Sequence, residues 1–158
     1  MPTKQGSLDL LNDPVAQQLL QSTHLAHVAY NWSDGTPRVI PIWFHWTGKE
    51  IVIASPTDAP KAKVMDNTKV AVSIDAPNPP AKVLLIRATA RVTIVPGVAS
   101  EYAASARRYN GEEAGDAWVK QLGGMITHMA RVAITPEWVA VQDFEKRFPN
   151  ALERAMGF

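Results

Sequence analysis

Apolar and polar residues alternate along several short segments of the chain, which is the pattern of β-strands with one buried face. Residues 24–32 (HLAHVAYNW) and 69–76 (KVAVSIDA) show it most clearly. The sequence SDGT at 33–36 follows the first of these segments and predicts a hairpin, because Asp-Gly supplies the positive φ that tight hairpin turns require. The first two strands in the sequence are therefore expected to pair in an antiparallel hairpin.

Residues 37–46 (PRVIPIWFHW) and 50–55 (EIVIAS) predict a second hairpin across a turn at 47–49. Apolar residues occupy both faces of parts of these strands, so this region is expected to be buried on two sides. Pro41 has no N–H to donate to a neighbouring strand, which predicts a bulge or an unpaired position. A strand that stops pairing there leaves backbone groups free for a ligand.

The helices are predicted at three places. Asp13 followed by Pro14 is a typical helix start, and the apolar spacing ends near Ser22. A short helix is predicted over 61–67. Residues 98–122 have a helical composition that Gly111 divides into two helices.

The remaining strands are predicted at 82–95, a length typical of strands that cross a barrel, and at 129–134 and 138–142 around Pro136. Because hairpins dominate the order, the fold class is mainly β with minor α: an antiparallel barrel of six to seven strands with short helices. We expect one domain over 1–158, with a flexible arm at 1–12 and a surface tail at 149–158.

Charge and composition exclude several classes of function. The 158 residues carry 16 basic and 15 acidic side chains, so no excess of positive charge predicts binding to nucleic acid or to anionic membranes. Disulfides and thiolate metal sites are ruled out by the absence of cysteine. The four histidines show no metal-ligand spacing. Without a signal-like or membrane-spanning apolar run, the chain is expected to be cytoplasmic.

Two basic residues near the ends of the stretch 37–61 predict a site for an anion. Arg38 opens the first strand, and Lys61 follows Pro60 at the start of a short helix, where backbone N–H groups also favour a phosphate. Ser55 and Thr57 add hydroxyl donors nearby. Such a pair beside an apolar ribbon suits a planar, phosphorylated cofactor.

The aromatic run at 43–46 is expected mostly in the core and at its rim, with Trp43 the residue most suited to stack on a flat ligand. No side chain is assigned as a catalytic acid or base. If the reaction needs one, the candidates are Tyr102, Tyr109 and His45.

These segments together resemble the pyridoxamine 5′-phosphate oxidase-like, or flavin/deazaflavin-dependent oxidoreductase, split-barrel family. The resemblance spans about residues 14–148 and rests on five stretches: AYNWSDGTPRVIPIWFHW, IVIASPTDAPKAKVMDNTKVAVSID, KVLLIRATARV, AWVKQL and ITPEWVAV. It implies a split β-barrel that forms a homodimer, with two cofactors in the interface.

The resemblance also implies roles for individual residues. Arg38 matches the family's phosphate-binding arginine, and the strand whose backbone meets the flavin ring corresponds to Val39, Ile40, Pro41 and Ile42. The second phosphate-binding segment corresponds to Ser55, Ala59, Pro60 and Lys61. Lys82 falls where the oxidases place a glutamine from the partner subunit, and Gln121 falls near another cofactor contact.

Two departures argue against vitamin B6 oxidase activity. Trp43 stands where the true oxidases have a lysine for the substrate phosphate, and the C-terminal tail DFEKRFPNALERAMGF lacks their Arg-x-His motif. The resemblance therefore implies an oxidoreductase that transfers a hydride between FMN and another small organic substrate. Three alternatives stay open: a reductase that uses the deazaflavin coenzyme F420, a non-catalytic flavin or haem carrier, and a lipocalin-like ligand barrel, against which the basic pair argues.

Overall fold

A single antiparallel sheet of seven strands organises the computed structural model, which describes residues 3–158. The strands lie in the order β2-β1-β5-β6-β7-β4-β3. Their bounds are β1 Ala26–Asn31, β2 Pro37–Ile42, β3 His45–Trp46, β4 Ile51–Pro56, β5 Thr68–Ala76, β6 Lys82–Pro96 and β7 His128–Gln142. The helices are a 3₁₀-helix at Leu8–Asn12, then α1 Pro14–Leu20, α2 Pro60–Val64, α3 Ser100–Asn110, α4 Glu112–Gly123 and α5 Asn150–Met156.

Local sequence signals account for several of these boundaries. The side chain of Asp13 accepts a hydrogen bond from the Val15 N–H at the start of α1, as the Asp-Pro pair predicts. Gly35 has a φ of +84° in the β1–β2 turn, and Gly111 has a φ of +88° between α3 and α4. Both positions need a backbone conformation that other residues rarely adopt.

The two edges of the sheet belong to one continuous piece of chain. Strand β2 forms one edge and β3 the other, and only Trp43 and Phe44 separate them in sequence. The sheet must therefore curl until its edges meet, with an opening where the chain passes from one edge to the other. This confirms the mainly β split barrel, with its seven antiparallel strands and short helices.

The predicted hairpin between residues 37–46 and 50–55 was wrong in its extent. The structure breaks the first segment into β2 and β3, and only His45 and Trp46 pair with β4. Strand β2 pairs with β1, and β4 pairs with β7. An uninterrupted apolar run does not reveal this break, because Trp43 and Phe44 are as apolar as the strand residues on either side of them.

Pro41, where a bulge or an unpaired position was predicted, produces no bulge. It lies on β2, in register opposite His27 of β1, and β1 is the one neighbour of β2 in the described sheet. Pro37 and Pro41 have the same parity, so their missing N–H groups belong on the open edge, where no strand requires them.

The two strands predicted around Pro136 are one strand, β7. The register with β6 shifts between Arg87 and Ala88, which face Trp138 and Pro136 respectively. Pro136 thus sits at a bulge that lets β7 continue past it.

The interior of the barrel holds the larger of two apolar clusters, with Phe44, Ile53 and Met65 among its fully buried side chains. The smaller cluster lies between the sheet and helices α3 and α4, and consists of Ala54, Ala99, Leu122 and Met129. Because β4 contributes to both clusters, its side chains are buried on both faces as the sequence predicted. The same prediction was wrong for β2, an edge strand whose residues are exposed or half-buried.

The segment before α1, which the sequence predicted as a flexible arm, packs along β7. The Gln5 side chain exchanges two hydrogen bonds with the backbone of Val141, at 2.6 and 2.9 Å. Leu10 is buried, and Arg147 bonds both Asp13 and the Thr3 carbonyl. The tail beyond residue 148 forms the exposed helix α5.

Candidate functional site

A groove of about 460 Å³ opens at the split of the barrel. One wall is made by the end of β2 with Trp43 and by the second half of β4. The other wall is made by helices α3 and α4 together with Leu25 and Met129. The lining residues are Leu25, Pro41, Ile42, Trp43, Ala54, Ser55, Pro56, Tyr102, Trp118, Leu122 and Met129. Four of the residues predicted for the cofactor site are thus brought together here: Pro41, Ile42, Trp43 and Ser55.

Ser55 supplies the strand wall with an unused polar group. The residue is only 5% exposed, and its Oγ has no hydrogen-bond partner among the described residues. Strand β4 pairs with β7 along its whole length but with β3 only at Ile51 and Val52, so Ser55 lies where the other side of β4 is open. A buried hydroxyl without a partner is costly, and a ligand that accepts or donates a hydrogen bond there would remove that cost.

The helix wall carries a hydrogen-bonded aromatic pair. The Trp118 Nε1 of α4 donates to the Tyr102 hydroxyl of α3 over 2.9 Å. Leu122 and Met129 lie in the small apolar cluster beneath this pair, with Tyr102 packed against that cluster. The wall is aromatic and apolar, with one hydroxyl group.

Trp43 occupies the crossing between the two sheet edges and is fixed by two tyrosines. Its ring stacks on Tyr109, and the Tyr102 ring lies 6.1 Å away at a 42° tilt. Tyr109 is itself anchored, because its hydroxyl donates to the His24 carbonyl over 2.8 Å. Burial raises the pKa of Tyr109, so it remains a neutral donor.

Arg108 ties helix α3 to the same crossing. Its guanidinium donates to the carbonyl oxygens of Ser22 and Phe44, and its Cζ lies 4.9 Å from the centroid of the Phe44 ring. The carbonyl of Phe44 has no strand partner at the break between β2 and β3, so the arginine satisfies it.

An ion pair holds the other side of α3 against β7. Arg131 donates to Glu101 through Nε at 2.8 Å and Nη2 at 2.6 Å, and both side chains are mostly buried. The hydrogen bond from Arg131 lowers the pKa of Glu101 below its usual 4.5. Arg131 also lies directly opposite Ala54 in the β4–β7 register, so the ion pair lies on the same face of the sheet as this groove residue.

Lys61 on helix α2 is a half-buried cation without an anion. The described residues offer it no ion pair or side-chain hydrogen bond, and burial lowers its pKa from the usual 10.5. Lys63, two residues later on the same short helix, is exposed. A desolvated ammonium group with no partner is unfavourable unless an anion approaches it.

Arg38 lies on β2 at the hairpin end of the strand. Its Cζ is 4.0 Å from the centroid of the Trp32 ring, an arrangement that holds the guanidinium over an aromatic face. Arg38 shares its face of β2 with Ile40 and Ile42, which pack against the barrel core. Neither Arg38 nor Lys61 lines the groove itself.

Other predicted residues lie outside the groove lining as well. They are Val39, Ile40, Thr57, Ala59, Pro60, Lys82 and Gln121. The side chain of Lys82 donates a hydrogen bond to Gln18. Lys82 lies at one end of β6, whereas the row of paired residues that contains Ser55 crosses β6 near its other end. Gln121 is exposed and precedes Leu122, which does line the groove.

Of the three candidate acid or base residues, only Tyr102 lines the groove. The His45 Nδ1 is buried without a partner, and burial, with a smaller effect of Arg108, lowers the pKa of His45 below 6.5. Trp118, Leu122 and Met129 were not predicted as site residues. The sequence signal for Trp118 and Leu122 was the run AWVKQL at 117–122, which in isolation is equally typical of a helix that packs on a core.

Within residues 3–158, no cluster of three or more His, Asp or Glu side chains is arranged to hold a metal ion. The helices of the same region include none with the length and apolar character needed to cross a membrane.

Solved structures share this fold, whereas no protein-family model and no curated protein matches the sequence. An F420 reductase has a TM-score of 0.60 and 24% identity, over 78% of this chain and 94% of its own. A conserved hypothetical protein of Mycobacterium tuberculosis has a TM-score of 0.69 and 16% identity, over 91% and 92%. A Clostridium acetobutylicum protein related to general stress protein 26, of the pyridoxinephosphate oxidase family, has a TM-score of 0.58 and 17% identity, over 89% and 92%.

Proposed function

We propose that this chain binds FMN at the split of the barrel and acts as a flavin-dependent oxidoreductase on a small organic substrate. The observation that carries the proposal is the pair of unsatisfied polar groups on one short stretch of chain. Ser55 has a buried hydroxyl without a partner, and Lys61 has a half-buried ammonium group without an anion. A ligand with a phosphate tail and a polar ring edge would satisfy both groups.

Different residues would hold the phosphate and the ring of such a ligand. Arg38 and Lys61 would neutralise the phosphate, and Thr57 would add a hydroxyl donor. Pro41, Ile42 and Trp43 would pack against the ring, with Ser55 bonded to its polar edge. The backbone of Val39 and Ile40 would lie alongside, and Ala59 and Pro60 would shape the turn before Lys61. When bound, the flavin supplies the hydride chemistry, and the protein orients the ring and keeps water away from it.

The deazaflavin coenzyme F420 is the second candidate cofactor. The observation that favours it is the shared fold with an F420 reductase over 94% of that chain. Both cofactors combine a flat tricyclic ring with an anionic tail, so the same residues serve either one.

The proposal includes a homodimer, supported by a row on the outside of the sheet that is apolar apart from one arginine. Successive partners across five strands are Val39, Ala29, Ala71, Arg87 and Trp138. Val39 is 63% exposed, and the small side chains of Ala29 and Ala71 leave a shallow channel along this row. A second copy would cover these residues and would bring its Lys82 or Gln121 within reach of the cofactor. Sedimentation velocity of the wild type and of Ala71→Glu tests this, with a dimer expected for the first and a monomer for the second.

The absorbance spectrum of the purified protein, before and after incubation with FMN or F420, tests the choice of cofactor. Turnover with the reduced form of the bound cofactor and a panel of enones and quinones then tests catalysis. Oxidation of the cofactor with matching loss of the acceptor supports an enzyme. Stable binding without turnover of any acceptor supports a carrier.

A further inference from the structure

We propose that the helix wall of the groove binds an uncharged, planar organic molecule with a hydrogen-bond acceptor, and that the Tyr102 hydroxyl donates to that acceptor. This inference deepens the proposed function, on which it rests in taking the molecule to be the substrate. Tyr102 is then the residue that selects carbonyl-bearing compounds over hydrocarbons of the same shape.

The direction of the Tyr102 hydroxyl follows from its neighbour. The Trp118 indole N–H can only donate, so in the 2.9 Å bond between them the Tyr102 oxygen is the acceptor. The proton of the Tyr102 hydroxyl must then point to a different partner, and the described residues provide no acceptor for it. Because Tyr102 lines the groove, that proton is available to a molecule inside it.

The composition of the wall restricts the kind of molecule. None of the groove-lining residues carries a charge at neutral pH, and the two cations, Arg38 and Lys61, lie outside the lining. An anionic group on the helix side would be desolvated without a counter-ion, which is strongly unfavourable. The rings of Tyr102 and Trp118 offer flat surfaces on this wall, so a planar neutral compound has the most favourable contacts.

Two probes of nearly the same shape separate hydrogen bonding from packing. They are 2-methyl-1,4-naphthoquinone, which carries two carbonyl acceptors, and 2-methylnaphthalene, which carries none. The chain has no cysteine, so the quinone has no thiol to alkylate. Equilibrium dialysis against the full chain gives the affinity for each probe, and the ratio of the two affinities reports the hydrogen bond.

Tyr102→Phe removes only the hydroxyl group. We expect this variant to lose about five- to tenfold in affinity for the quinone, the value of one hydrogen bond, and to bind the hydrocarbon as the wild type does. Tyr30→Phe is the matched control, because Tyr30 is a buried tyrosine of β1 that does not line the groove. It should leave both affinities unchanged. Unaltered binding of the hydrocarbon shows in the same experiment that Tyr102→Phe is folded.

Four results would overturn the inference: no binding of either probe by the wild type, an unchanged quinone affinity in Tyr102→Phe, an equal loss of affinity for both probes in Tyr102→Phe, or the same selective loss in Tyr30→Phe. FMN titration of the same variants distinguishes a failure of the proposed function from a failure of the proposed role of Tyr102. A wild type that binds the quinone selectively but not FMN contradicts the proposed function and leaves the role of Tyr102 intact. A Tyr102→Phe variant that loses FMN affinity, with FMN displacing the quinone, assigns the hydroxyl to the cofactor and contradicts the substrate site.

Discussion

Trp43 stacks on Tyr109, with ring centroids 5.3 Å apart and planes only 8° from parallel. The indole that walls the groove is therefore held by helix α3, although it lies at the crossing between two sheet edges. A ring that is already fixed loses little freedom when a flat ligand packs against it, which favours binding. The helices are thus part of the site and do more than cover the barrel.

Replacing Trp43 should weaken ring binding regardless of the phosphate. For Trp43→Leu we expect FMN and riboflavin affinities to fall together by about 0.5–1.5 kcal/mol, the range for aromatic stacking beyond simple burial. Trp46→Leu is the control, since Trp46 packs against the barrel core and does not line the groove. It should lower the unfolding free energy and leave flavin affinity intact. Equal flavin affinities for Trp43→Leu and wild type would remove Trp43 from the site.

Ser55→Ala separates a binding role from a structural one. Because the Ser55 hydroxyl has no partner, its removal should leave the ligand-free protein equally stable or more stable, while FMN affinity falls by about 1 kcal/mol. Ser105 is the matched control, a buried serine whose Oγ donates to the Glu101 carbonyl over 2.9 Å. Ser105→Ala should cost stability by about 1 kcal/mol and leave FMN affinity unchanged. Urea unfolding and calorimetric titration measure both quantities, and the opposite pattern would refute the assignment.

The affinity for FMN should fall at alkaline pH. Burial lowers the pKa of Lys61 from 10.5, so in the ligand-free protein the ammonium group loses its proton below that pH. A bound phosphate requires the charged form, so the ratio of FMN to riboflavin affinity decreases as pH rises through the pKa of Lys61. Ionisation of the flavin ring changes both affinities alike, so its effect cancels in their ratio. Lys61→Arg, which stays charged, should keep the ratio constant over the same interval; a parallel decrease in both proteins would exclude Lys61 as its cause.

The lowered pKa of Lys61 also leads to a prediction about the stability of the ligand-free protein. A lysine whose folded pKa lies below its unfolded value binds fewer protons in the folded state, so the unfolding free energy increases with pH between those two values. Lys61→Met should abolish this increase, which thermal unfolding without flavin can measure.

The ion pair between Glu101 and Arg131 should stabilise the groove against acid. The pKa of Glu101 is lowered by the Arg131 hydrogen bond, so its contribution is complete above pH 4.5 and disappears as pH falls through the lowered pKa. Glu101→Gln should reduce the unfolding free energy at pH 7 by about 1–3 kcal/mol and remove that acid dependence. Glu137→Gln is the control, because Glu137 pairs with Lys69 in an exposed ion pair, which contributes less than about 1 kcal/mol.

Alternation and turn residues predicted most of the individual strands and helices, whereas the split form of the barrel was implied by the family resemblance. The SDGT turn, the Asp13 cap and the Gly111 break each act locally, and the structure contains all three. The division of residues 37–46 into two strands could not be predicted in this way. Trp43 and Phe44 are as apolar as the strand residues around them, and the break arises only because the sheet closes on itself.

The site, like the fold, was predicted only in part from the sequence. The strand wall was predicted because Pro41, Ile42, Trp43 and Ser55 lie in one recognisable region of the sequence. The helix wall depends on tertiary packing that brings Trp118 and Leu122 beside β4, and no local pattern encodes that contact. The pairing of Trp118 with Tyr102 therefore became visible only in three dimensions.

The most direct test of the account compares FMN with riboflavin, which has the same ring without the phosphate, in wild type, Arg38→Ala, Lys61→Ala and Lys63→Ala. We predict that Arg38→Ala and Lys61→Ala each weaken FMN binding by about 1.5–3 kcal/mol and leave riboflavin binding unchanged, the value of a charge-assisted hydrogen bond. Lys63→Ala, on the exposed side of the same helix, should match wild type for both ligands. Identical FMN and riboflavin titrations for all four proteins would contradict the proposed phosphate site and the function built on it.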